Sequence, residues 1–240
     1  MGFGTMKTLI SLFFVLTAST CFAFDESSIV RPRFCVLVTD SDHPRNRNCF
    51  RGFLLKSGSK MYLLHGAESE HKKGGKLICE NRNGIVLEFP IDLVVNENSK
   101  KSLPHLTLVA YELTEVPVVH EHFSFAILGD EQNSFEKCVA CAILESESLY
   151  SDGLPFVSVP VQTWARAEVN SHFGFGESCH IVQPMGLPMY SPTVENRNGQ
   201  FVLAGLLQTV LQSSERTVAG QVVISPFTVK RLIAGSNETR

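Results

Sequence analysis

Past Ala23 the chain has no apolar run near the ~20 residues that cross a bilayer, so no membrane-spanning helix is expected in it. Charge of one sign is missing too: 21 Lys and Arg stand against 24 Asp and Glu, a formal net charge of -3. The only short basic cluster, His71-Lys72-Lys73-Gly74-Gly75-Lys76, has no interleaved aromatics and reads as a solvated loop. Neither nucleic acid nor membrane is therefore expected as a partner. Low-complexity tracts and sequence repeats are absent, so any repeated barrel would be a repeat of architecture alone. Helical periodicity is confined to Pro226 to Ile233, with Ser225 placed as N-cap and Pro226 in the first turn. Metal-ligand spacing is incomplete. His120 and His122 share a strand face around Glu121, but the only third ligand to be named is the distant His105, so no metal and no cofactor are expected.

What is present is a β pattern behind a secretory leader. Lys7, the apolar run Leu9 to Ala18 and Cys21-Phe22-Ala23 read as a signal peptide over residues 1–23, cleaved after Ala23. Residues 24–240 remain, enough for one large or two small all-β units. Short apolar or alternating runs recur between turn signals: 34–39, 49–55, 60–64, 85–88, 106–113, 123–128, 138–144, 156–162, 176–182, 200–207 and 221–224. Val95 to Leu103 and Gly129 to Lys137 read as polar connections. Six cysteines follow the leader: Cys35, Cys49, Cys79, Cys138, Cys141 and Cys179. An even number in a secreted chain argues for disulfides, although 15 pairings are possible. Cys138-Val139-Ala140-Cys141 lies in a strand-like run with no helix after it, which disfavours a redox pair.

The stretch Gln183 to Leu207, QPMGLPMYSPTVENRNGQFVLAGLL, organises the rest. Asn196-Arg197-Asn198-Gly199 signals a hairpin into the apolar strand Phe201 to Leu206. The residues before it resemble, by position, the GDSGGPLV segment of trypsin/chymotrypsin-like serine proteases. Cys49-Phe50-Arg51-Gly52-Phe53-Leu54-Leu55 is similar to that family's CGGSLI strand, Met61 to Glu68 to its WVLTAAHC, and Leu106 to Leu113 with Pro117 to its DIALLxL strand. The resemblance runs from about Val30 to Ile233. It implies two packed antiparallel six-stranded β-barrels, about 29–118 and 136–224, with a closing helix at 226–233.

The same resemblance implies a site without its chemistry. Ala67 matches the general-base His, His105 the orienting Asp and Met189 the nucleophilic Ser. A thioether cannot attack a carbonyl, and a triad works only as a unit. Pro188 matches the buried Asp that receives the activated N-terminus, and Leu187 the oxyanion-hole Gly. Gln183 falls at the pocket floor, and Val210 at a wall position where Gly keeps the mouth open. His65 and Ser191 each lie two residues from the matched positions; along a strand that is about 6–7 Å, which takes a shifted dyad out of hydrogen-bond reach. Ser191 reads as a turn residue, and His65 as structural.

The expected function is that of a secreted, non-catalytic protease homologue. It would bind an extracellular protein, such as a protease or a protease substrate, and regulate a proteolytic cascade. A divergent active hydrolase and an unrelated secreted β-rich binding protein are the alternatives. Asn237-Glu238-Thr239 is an N-glycosylation sequon. Cys49 resembles a family half-cystine whose partner position is Glu68. With the first hairpin centred on Asp42, Cys35 would face Cys49 at about 4.5–5.5 Å between Cα atoms, and a bridge there would contribute about 3 kcal/mol.

Overall fold

The computed structural model describes residues 31–39, 49–66, 75–103, 106–114, 122–130, 135–144, 153–168, 178–183, 187–209 and 221–235. The first hairpin pairs β1 (Cys35–Thr39) with β2 (Cys49–Ser57). A two-residue turn with Gly58 at φ 59° leads into β3 (Lys60–Gly66), where only a residue without Cβ enters the left-handed region at no steric cost. On the other side of β1 lie β4 (Lys76–Glu80) and then β5 (Val86–Pro90). A one-turn helix, α1 (Ile91–Val94), a 3-10 turn (Glu97–Ser99) and the short β6 (Lys101–Ser102) carry the chain to β7 (Leu108–Glu112), which pairs with β3 and β6. A bridge from Val95 to Leu113 and the bond from Asn96 N–H to the Glu112 carbonyl (2.9 Å) close the ring. Closure removes the free edges on which a sheet of this size would otherwise aggregate.

The second ring repeats that architecture. After β8 (Ala126–Leu128), β9 (Cys138–Ile143) pairs with β10 (Phe156–Pro160). The chain continues past Val161, whose N–H is held by the Cys138 carbonyl (2.9 Å), into β11 (Gln162–Glu168), paired with β12 (Ser178–Gln183). On the far side of β9 come β13 (Pro192–Arg197), β14 (Gln200–Thr209) and β15 (Gln221–Ile224), and β15 returns to β12. The second strand of this ring is thus one bent strand, β10 with β11. Between the rings, β8 runs parallel to both β2 and β14. Helix α2 (Pro226–Ala234) follows β15; Ser225 Oγ accepts the Thr228 N–H, and Gly235 ends the helix at φ 86°.

The structure is therefore all-β, two antiparallel six-stranded barrels with a C-terminal helix, as the resemblance implies. Burial explains why the strand runs are so apolar. All five residues of β1 are buried. Val36 and Val38 join a cluster with Leu54, Leu63, Leu77 and Val109 from the first half alone. Cys35 and Leu37, pointing the other way, join a larger cluster with Phe53, Leu64, Cys141, Leu203 and Leu206 drawn from both halves. A strand that is core on both faces loses the polar alternation of a half-exposed one.

Three corrections to the sequence reading follow. Lys76–Glu80, Gln162–Glu168 and Pro192–Arg197 are strands that it did not mark. The polar connection from Val95 to Leu103 contains the 3-10 turn and β6. Cys35 does not face Cys49: Cys35 pairs with Phe53 and Cys49 with Thr39, at opposite ends of the hairpin. Four residues of strand separate the two cysteines along the ladder, about 13 Å, beyond any disulfide.

Candidate functional site between the barrels

Where β1, β2 and β3 of the first ring approach β9 and the segment before β13, a cavity of about 20 Å³ remains, room for roughly one water molecule. Cys35, Arg51, His65, Cys141, Met189 and Ser191 all line it. Arg51 ties its two sides together, since its Nε donates to the Ile143 carbonyl at 2.7 Å. Gly52 faces His65 across the β2–β3 ladder, and a Cβ at Gly52 would meet the Leu64 carbonyl oxygen at 2.8 Å, so the strands approach closely because this residue has no side chain.

The wall at Met189 is a tight turn. Pro188 accepts the Ser191 N–H at 3.2 Å and the Ser191 hydroxyl at 2.7 Å. Tyr190 sits at φ 64°, a left-handed conformation that costs a side-chain-bearing residue about 1 kcal/mol or more. The cost is met by two bonds: Tyr190 N–H donates to the Leu207 carbonyl at 2.6 Å, and its phenol oxygen lies 2.7 Å from Thr107 Oγ1. Met189 is left 48% exposed at the tip. Ser191 is buried, and it is a turn residue as the sequence reading expects.

His65, also buried, stacks on Tyr111 with ring centroids 5.6 Å apart and planes 6° from parallel. Its Nδ1 lies 2.8 Å from the Gly66 carbonyl oxygen. A carbonyl only accepts, so that contact puts a proton on Nδ1 and, in the neutral ring, the lone pair on Nε2. His65 and Ser191 thus reach the same cavity, which spacing along the chain did not indicate. Their described bonds nevertheless lead to the backbone, and the Ser191 proton is directed at Pro188 rather than at an imidazole.

The thiols here are inert acids. Burial pushes the Cys35 thiol well above its usual range, and neighbouring Cys141 adds to that. Burial raises Cys141 to about 12 despite its contact with Ser158 Oγ at 3.6 Å. Cys138 and Cys141 point to opposite faces of β9: Cys138 joins the cluster of Phe135, Val161 and Leu207, and Cys141 the cluster shared by both halves. The two therefore cannot act as a redox pair. Cys35, Cys79, Cys138 and Cys141 are free thiols, and among the described residues there is no disulfide and no metal-ligand group.

Of the remaining sequence-derived positions, Ala67, His105, Val210, Asn237 and the leader lie outside the described residues, as does His120. Gln183 and Cys179 belong to β12 by their backbones. Sequence reasoning missed Arg51 as a tie between the barrels and Cys35 beside Cys141; neither has a local signal, since the partners lie 92 or more positions apart.

No protein-family model matches the chain, and no curated protein matches it in sequence. Among solved structures it is similar to a catalytically inactive tobacco etch virus protease complexed with substrate, at 13% identity and a TM-score of 0.43, over 81% of this chain and 78% of that one. The double-barrel fold stands on the strand pairing itself.

Proposed function

We propose that this chain is a catalytically degenerate member of the trypsin/chymotrypsin-like group, secreted, and acting by binding another extracellular protein. The observation that carries the reading is the Pro188-to-Ser191 turn: the residue that matches the family nucleophile is a solvent-exposed methionine. The neighbouring serine spends its proton inside the same turn. A thioether cannot form a stable acyl-enzyme, because acylation would leave a sulfonium with no proton or alkyl group to shed, while loops on a rigid barrel frame keep their capacity to recognise protein. In this reading the partner is a protease or a protease substrate, Asn237 carries glycan, and residues 1–23 are the leader that directs export. Incubation with a fluorophosphonate probe, with an active serine protease alongside, tests it. No covalent adduct is expected, and stoichiometric labelling overturns the proposal.

A divergent hydrolase is the second reading, and one observation favours it: His65 and Ser191 line one cavity, with the imidazole lone pair assigned to Nε2. It requires that labelling occur and that Ser191→Ala abolish it.

A further inference from the structure

Five of the chain's cysteines have described surroundings, and only two of them share an environment. Cys79 sits in the first-half cluster and Cys138 in the second-half cluster, while Cys49 is partly exposed at the far end of the first hairpin. Cys35 and Cys141 are together in the cluster that joins the halves and line the same cavity. They belong to β1 and β9, strands of different barrels that pack against one another. Both side chains are buried, Cys35 at 2% and Cys141 at 0% exposure, so both sulfurs face a medium of low polarity. Burial raises both thiols and, at Cys141, outweighs the Ser158 contact that favours the thiolate, so both sulfurs are held neutral.

We propose that Cys35 and Cys141 are an oxidation site, joined as a cystine that staples the first barrel to the second across the cavity. The oxidant is a low-molecular-weight disulfide such as oxidised glutathione. One cysteine, as thiolate, attacks it, forms a mixed disulfide and releases one glutathione. The second attacks the protein-side sulfur of that mixed disulfide and releases the other. Two protein thiols and one disulfide thus become one protein disulfide and two glutathione thiols, with both protons passing to the leaving thiolates. Both cysteines are at most 2% exposed and poorly ionised, so the exchange belongs to the folding chain, where the thiols still meet solvent. Once made, the bond is shielded from reductant by the same burial. The proposal is independent of the functional reading above, because the oxidant is supplied in the test.

The whole chain is unfolded in urea with reductant and refolded in a glutathione redox buffer. The folded material is then returned to urea, its remaining thiols are blocked there with N-ethylmaleimide, and the protein is digested with trypsin and mapped without reduction. Cleavage after Arg33, Arg45 and Lys137 puts Cys35 alone on its peptide but leaves Cys138 beside Cys141. The mapping is therefore repeated in Cys138→Ser, and in the wild type the linked pair is fragmented to locate the bond, so the result does not depend on that variant folding. The expected product is the Cys35 peptide linked to Cys141 in most of the folded material. It should melt about 10 °C above the reduced protein, since the bond closes a loop of about 100 residues in the unfolded chain. Recovery of folded protein with Cys35 or Cys141 blocked by maleimide, or with Cys35 linked to any other cysteine, overturns the proposal.

Discussion

Glu80 offers the sharpest test of how the N-terminal end of the described chain is held to both barrels. Its carboxylate is fully buried at the end of β4. It accepts from Arg31 Nη1 at 3.2 Å, from Arg33 Nε at 3.2 Å and from the Leu154 N–H at 3.4 Å, so one group gathers the lead into β1, the first barrel and the loop before β10. Breaking a buried ion pair from one side costs about 3–5 kcal/mol, because a charge is stranded. Here 52% of the Arg31 side chain and 28% of the Arg33 side chain remain in water. Both guanidiniums can rehydrate, so the value for Glu80→Ala falls to about 2–3 kcal/mol, including the unpaired Leu154 N–H. In a chain of this size that lowers Tm by about 4–12 °C. Glu80→Gln keeps an acceptor for Leu154 and removes only the charge, so it should lose about half as much. Urea titrations followed by far-UV circular dichroism, at low salt and in 0.5 M salt (a concentration of order ten times the former), measure both. A loss below about 1 kcal/mol for Glu80→Ala, or a difference that vanishes in high salt, would show that the cluster behaves as an exposed surface pair and that the reasoning is wrong.

Two further outcomes follow from burial and close approach. In reduced protein, Cys79 and Cys138 are raised from 9.0 to about 12 by burial, so between these values the unfolded chain gives up protons that the folded one keeps. Stability is therefore full below about pH 9 and falls above it by about 1.4 kcal/mol per pH unit per thiol, and Cys79→Ala should flatten that slope by one thiol's share; an unchanged slope in alkaline urea melts refutes the assignment. Gly52→Ala forces a methyl onto the Leu64 carbonyl at 2.8 Å and is expected to lose about 1–3 kcal/mol in the same assay, whereas Gly66→Ala, whose Cβ meets only the Thr107 carbonyl at 3.8 Å, should lose less.

What could be read from the chain was what short-range chemistry decides. The Asn198-Gly199 turn, with φ of 54° and 83°, is a mirror-image hairpin turn announced by its own two residues, and the Ser225-Pro226 start of α2 is written within one helical turn. Strand β4 escaped because Lys-Leu-Ile-Cys-Glu is core on both faces and shows no alternation, and β11 because Gln-Thr-Trp-Ala-Arg-Ala-Glu carries few of the residues that favour strands. The first hairpin failed in register alone. Its pairing centres two residues beyond Asp42, a shift that keeps every side chain on its face while sliding Cys35 away from Cys49. Turn residues locate a reversal of the chain, but the count of residues in the loop is settled by the strands it joins. The cavity was illegible for a different reason. Cys35, Arg51 and His65 come from three strands of the first ring, Cys141 from a strand of the second and Ser191 from the turn before β13. Only the packing of one ring on the other makes them neighbours.

The placement of β8 means that the covalent midpoint and the mechanical boundary of this protein do not coincide. Residues 126–128 leave the first ring only after hydrogen-bonding to β2, and they simultaneously form a ladder with β14, reached some seventy positions later. A chain severed after Gly129 would present one side of β8 as a bare edge, and the other fragment would carry a matching row of donors and acceptors along β14. Each half is thus a template for the other. Two such fragments would reassemble by adding a parallel strand along this ladder of two residue pairs.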